Sequence, residues 1–217
     1  MSKITLYHGS TEMIKNPEYR KGNKRNDYGQ GFYCTEYIEL AKEWSCSLNK
    51  KGIVNKYELD TTNLKILDLS SENYNILNWL AILLDNRLIE IKTPAQKYGK
   101  DLLIKEYLPD YKNYDVIYGY RADDCYFMFA RAFLSNQISL KQLSLAMKLG
   151  KLGYQYCLKS EKAFNSIRFI NQVEVDPEIY FEKKKARDEK AEQDYYKILE
   201  NIDLNGIYIS HMYKKDA

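Results

Sequence analysis

Two short stretches near the N-terminus hold residue types that could grip a ligand and act on it. The first is Leu6-Tyr7-His8-Gly9-Ser10. His8 is one of only two histidines in the chain, His211 being the other. It stands where a short apolar strand, Ile4 to Tyr7, should end. A histidine at a strand end is either a structural hydrogen-bonding group or an anchor for a ligand. Gly9 has no side chain, so backbone can approach a ligand closely there. Ser10 adds a hydroxyl, and the trio suits the holding of a ribose. The second stretch is Tyr28-Gly29-Gln30-Gly31-Phe32-Tyr33-Cys34-Thr35. Glycines flanking a strand that opens on aromatics make either a flat wall beside a flexible approach or a hairpin with a core aromatic pair. Trp44 follows Tyr33 by 11 residues, about three helical turns. A helix starting at once would return the indole near Tyr33 and leave a slot between two rings.

Other chemistries find no support. Gly29-Gln30-Gly31 lacks the third glycine of a dinucleotide fingerprint. Cys34, Cys46, Cys125 and Cys157 form no C-x-x-C pair and read as buried free thiols. Two histidines are too few for a His-rich metal centre, so no metal is expected. The 217 residues carry 33 Lys and Arg against 30 Asp and Glu, a net +3. That balance argues for neither nucleic acid nor a membrane surface. The longest apolar run, Trp79 to Leu84, is too short to cross a bilayer. The opening residues lack an apolar signal core, which predicts a cytoplasmic protein. Tyrosine is over-used, at 21 copies, and offers flat surfaces with polar tips.

The elements that must position these residues follow from periodicity. Loop chemistry fills residues 15–31. Phe32 to Cys34 reads as a strand, and Thr35 as the N-cap of a helix reaching about Leu48. Ile53 to Leu59 alternates like a strand, and Leu64 to Leu69 suggests another. Residues 71–108 read as two helices, the second starting at Pro94. Val116 to Tyr120 is a strand, and Asp123 or Asp124 caps a helix to about Leu134. Ser139-Leu-Lys-Gln142 matches a capping box for a helix ending near Gly150 or Gly153. Tyr154 to Leu158 is a strand, Ser160 opens a helix to Ile170, and Val173 to Val175 is a last strand. The charge-rich residues 178–200 read as a helix with a solvated face. The whole reads as one α+β domain over residues 1–217, with 71–108 inserted at one side.

Taken in order, Leu6-Tyr7-His8-Gly9-Ser10, Gly31-Phe32-Tyr33-Cys34-Thr35 and Trp44 resemble the ADP-ribosyltransferase superfamily. The branch resembled is the His-Tyr-Glu one, with the poly(ADP-ribose) polymerases and diphtheria-type toxins. The stretches Asn26-Asp27-Tyr28-Gly29, Tyr57-Glu58-Leu59-Asp60 and Tyr120-Arg121-Ala122-Asp123-Asp124 are similar to those of a bacterial family of uncharacterised proteins placed there. Genes of that family often stand beside small partner genes, in the manner of toxin–antitoxin pairs. The resemblance implies two facing, mostly antiparallel sheets with an NAD cleft between them and helices at the rim. It gives His8 the adenosine ribose, Gly9 the nicotinamide amide through its backbone, and Tyr33 and Trp44 the stacking surfaces. Ser10 and Asp27 would join the NAD-binding set, with Lys24 or Arg25 meeting the pyrophosphate.

The third signature position departs from the pattern. The strand that should carry a catalytic glutamate aligns with Tyr154-Gln155-Tyr156-Cys157-Leu158, so Gln155 takes its place. An amide can hold the ribose hydroxyls but carries no charge. Electrostatic stabilisation of this kind is commonly worth roughly 3–4 kcal/mol. Asp123 and Asp124 are the candidates to supply the charge, with Glu161 behind them; as helix caps they would have no such role. The implied activity is mono-ADP-ribosyl transfer from NAD to a protein or nucleic acid, by a bacterial toxin held by an antitoxin or regulator. The alternative is a weak or inactive module that binds NAD or ADP-ribose and acts through a protein partner, with residues 178–200 as a possible docking helix.

Overall fold

The computed structural model describes residues 2–47, 50–122 and 124–213. Among the described residues seven strands form two sheets. β1 (Lys3–Ser10), β3 (Gly52–Asp60) and β7 (Ile167–Val175) make an antiparallel sheet with β3 central. The second sheet runs β2 (Phe32–Cys34), β6 (Tyr154–Leu158), β5 (Val116–Tyr120), β4 (Ile66–Asp68). Among the described residues its one parallel pair is β4 with β5. The sheets face each other through a small apolar cluster of Leu6, Leu59, Cys34, Val116, Leu158 and Ala163. They are stitched at one edge, where Tyr7 and Thr35 exchange backbone hydrogen bonds of 2.7 and 2.9 Å. The expected pair of facing, mostly antiparallel sheets is therefore present. Cys34, Cys46 and Cys157 are buried free thiols.

Eight α-helices surround this pair among the described residues. α2 (Ile76–Asn86) and α3 (Pro94–Tyr107) occupy the segment expected to be helical, with Pro94 in the first turn. Their apolar stripes, joined by α4 (Asp124–Leu134) and α5 (Leu140–Ala146), cover the outer face of the second sheet. Trp79, Leu80, Leu83, Phe129 and Phe133 meet Ile117 and Cys157 there in the largest core. Ser139 and Gln142 form the reciprocal capping box at the start of α5. α6 (Glu161–Asn165) is short, α7 (Pro177–Glu200) is long, and α8 (Ile209–Met212) closes the described chain. No helix among the described residues is long and apolar enough to cross a membrane.

Three boundaries differ from the periodic reading. α1 spans only Ile38–Ser45, and Thr35 does not cap it. Thr35 is taken by the bridge to Tyr7, so the helix starts later. Residues 167–170 belong to β7, because pairing with β3 captures the backbone from Ile167 onward. α5 ends at Ala146, short of the glycines, and a 3-10 turn at Leu149–Lys151 follows. α7 is less solvated than its charge suggests. Ala191 and Tyr195 are buried, and Arg187 pairs with Glu43 of α1.

A buried hydroxyl fastens the loop before β2 to the core. Tyr28 Oη donates to the Tyr120 carbonyl at 2.5 Å and accepts from Trp79 Nε1 at 2.9 Å. Trp79 Nε1 also reaches that carbonyl, at 2.9 Å. Removing the hydroxyl leaves the carbonyl Trp79 Nε1 and a weaker approach from Gln155 Nε2, so the loss should stay moderate. Tyr28→Phe is expected to lower stability by about 1–2 kcal/mol, read from urea unfolding.

Candidate functional site

A cavity of about 740 Å³ opens where β1, β2, β6 and α1 converge under the loop of residues 14–31. That volume is ordinary for a cofactor or substrate site. His8, Gly9, Asp27, Tyr33, Trp44 and Gln155 all line it. Residues more than 140 positions apart in the chain thus share one space. They arrive on β1, the loop before β2, β2, α1 and β6, so the convergence is a product of the sheet pairing.

His8 sits at the end of β1, its ring stacked on Phe32 with centroids 4.3 Å apart. Its Nδ1 lies 2.6 Å from the Tyr33 carbonyl oxygen. A carbonyl only accepts, so Nδ1 carries the hydrogen. Burial pushes the imidazole below its ordinary value of 6.5, against the smaller opposing effect of that bond. The ring is therefore neutral at neutral pH, with Nε2 left as an acceptor. A neutral Nε2 in a cavity suits a donor hydroxyl.

Gly9 has a packing reason of its own. A Cβ there would stand 2.2 Å from Ala41 O and 2.7 Å from Ser45 N. The missing side chain lets α1 lie directly on β1. This contact sets where Trp44, one residue before Ser45, stands relative to His8.

Tyr33 is half-buried, and its hydroxyl closes the loop beneath the cavity. It donates to Gly29 O at 2.6 Å and accepts from Tyr28 N at 3.0 Å. Gly29 has φ +78°, which explains a glycine in that turn. Trp44 lines the same cavity, but its ring is covered by the Arg121 guanidinium at 3.7 Å. The indole Nε1 is buried and has no hydrogen-bond partner among the described residues.

Gln155 is 3% exposed, and its Nε2 donates to Asp27 Oδ2 at 2.8 Å. Asp27 Oδ2 also accepts from the Ala122 N–H at 3.0 Å. Its other oxygen lies 3.4 Å from Arg87 Nε. Burial pushes the Asp27 carboxyl above its ordinary value, while the Ala122 N–H, Arg87, Gln155 and Arg121 pull it down. The net effect leaves the carboxyl above its ordinary value, although its hydrogen-bond and ion-pair partners are N–H donors and a cation.

Other expected residues fall elsewhere. Ser10 accepts from the Glu12 N–H in a local turn and does not line the cavity. Lys24 lines a separate cavity beside Lys112 and Lys159. Arg25 lines neither, its carbonyl receiving Arg87 Nη1 at 3.2 Å. The cations of the main cavity are instead Lys21, Arg87, Arg121 and Lys184. Glu161 opens α6 and is exposed, away from the cavity. Asp123 lies outside the described residues, and so does the side chain of Asp124.

Lys21, Arg87, Arg121 and Lys184 were not legible as site residues in the sequence, although Arg121 lies in the stretch Tyr120-Arg121-Ala122. Arg87 at the end of α2 and Lys184 on α7 carry no local signal, because only tertiary packing brings them in.

A family model described as "Protein of unknown function (DUF3990)" matches residues 4–169, and the chain belongs to that family. The matched segment holds His8, Asp27, Tyr33, Trp44 and Gln155, while Lys184 lies beyond it. No curated protein matches the chain. No solved structure matches it.

Proposed function

We propose that this DUF3990 member is an NAD-dependent mono-ADP-ribosyltransferase. The observation that carries the reading is one cavity holding His8, Tyr33, Trp44 and Gln155, the residues that the sequence resemblance assigns to NAD. His8 Nε2 accepts a hydroxyl of the adenosine ribose. The Tyr33 and Trp44 rings supply apolar surface for the nicotinamide end. Lys21, Arg87, Arg121 and Lys184 offer charge to the pyrophosphate. Gln155 holds a hydroxyl of the nicotinamide ribose. The bond from ribose C1′ to the nicotinamide nitrogen breaks, and its electron pair leaves with neutral nicotinamide. A nucleophile of the acceptor then bonds to C1′ and releases one proton. The acceptor is a macromolecule, protein or nucleic acid. The setting is that of a cytoplasmic bacterial toxin under a protein antitoxin.

The test is incubation of purified protein and cell extract with labelled NAD, followed by separation of label among protein, RNA and DNA. Transferred label and free nicotinamide are expected. NAD that binds without turnover under every partner tried would favour the second reading, a binding module, which the amide at Gln155 supports.

The pH dependence follows from His8. Its folded value lies below 6.5, so Nε2 stays unprotonated at and somewhat below that pH. The acid limb of NAD binding, read as Kd by calorimetry, should lie below pH 6.5 and vanish in His8→Gln. The sign for stability is the same. The unfolded chain takes up a proton first, so this contribution declines as pH falls through 6.5.

A further inference from the structure

The amide of Gln155 is only half used by the protein. Its Nε2 is committed to Asp27 at 2.8 Å, with a weaker approach to Tyr120 O at 3.5 Å. Among the described residues nothing donates to its Oε1. Asp27 is in turn fixed by the Ala122 N–H at 3.0 Å and by Arg87 at 3.4 Å. A carboxylate accepts and cannot donate, so it selects one orientation of a neighbouring amide. The NH2 turns to Asp27, and the carbonyl oxygen is the atom left for a donor in the cavity that both residues line.

We propose that Asp27 is the positioning residue of this site, and that the pair Asp27–Gln155 replaces a single glutamate. Asp27 holds the Gln155 carbonyl oxygen toward the sugar, where it accepts a ribose hydroxyl. It also places a carboxyl group one hydrogen bond behind that amide. Asp123 and Asp124, the downstream candidates for the glutamate's charge, are not needed for it. The fold places a carboxyl group upstream, in the loop before β2. The inference rests on the NAD reading above, and it requires no new reactant, since the broken and formed bonds are unchanged.

Four proteins test it: the unaltered chain, Asp27→Asn, Gln155→Glu, and the double variant that exchanges carboxylate and amide. Each is checked by thermal melting and NAD Kd, and assayed for nicotinamide release across pH. Asp27→Asn should lose about 100-fold in rate, the scale of one preorganised electrostatic group, with Kd within a few-fold. The double variant restores a carboxylate–amide pair in reversed order and should regain most of that loss. Gln155→Glu alone puts two carboxylates at hydrogen-bond distance, where they share one proton. Its rate should therefore gain an alkaline limb that neither the unaltered chain nor the double variant has. A structural role alone would not produce that limb. Full activity in Asp27→Asn, or a double variant no better than Asp27→Asn, overturns the role of Asp27 and leaves the NAD reading standing. An unaltered chain that neither binds nor cleaves NAD overturns both.

Discussion

Gly9→Ala is expected to destabilise the protein by about 3 kcal/mol, the upper end of ordinary overpacking. The added carbon would stand 2.2 Å from one helix backbone atom and 2.7 Å from another. Backbone atoms of a helix cannot rotate away as a side chain can. The strand conformation itself is no obstacle, since Gly9 is not among the positive-φ residues. The whole of α1 must lift from β1, and Trp44 moves with it. Urea unfolding should report the loss, and NAD affinity of the remaining folded protein should drop as well. Unchanged stability would mean that α1 does not pack on β1 as described.

His8→Ala should cut nicotinamide release by at least about 100-fold. Its structural cost is smaller. The bond from Nδ1 to the Tyr33 carbonyl ties β1 to β2 and is worth about 1–2 kcal/mol at most. Stability and activity should therefore separate: the melting temperature falls by a few degrees, while kcat/KM of the folded protein collapses. His8→Gln keeps a hydrogen-bonding side chain and should recover stability more than activity. If His8→Ala melts lower but the folded fraction turns over NAD at the full rate, His8 is a structural histidine and nothing more.

The residues now seen around the cavity divide by how far apart the chain must fold to join them. His8 with Gly9, and Tyr33 just after Gly29 and Gly31, were legible because each lies in a short stretch whose residue types suit one task. The helices at Ile76–Asn86 and Pro94–Tyr107 were legible because periodicity and a proline mark them. The strand at Ile167–Val175 was not, since residues that also suit a helix were claimed by pairing with β3. Thr35 was misread for a similar reason: a good capping residue was taken by a sheet contact. The tyrosines suggested ring-binding surface. Four of them instead stack on one another across β5 and β6, as Tyr120 and Tyr154 do at 4.7 Å. The meeting of Asp27 with Gln155 spans 128 positions, and no local pattern encodes it.

Residue type and near spacing by themselves determined that an imidazole, two aromatic rings and an amide were on offer, and the resemblance they carry implied two facing sheets. Only the three-dimensional packing decided that these groups share one cavity, which tautomer the imidazole holds, and which carboxylate faces the amide. The reason is that hydrogen bonds and charges act over a few ångströms of space, whatever the distance along the chain.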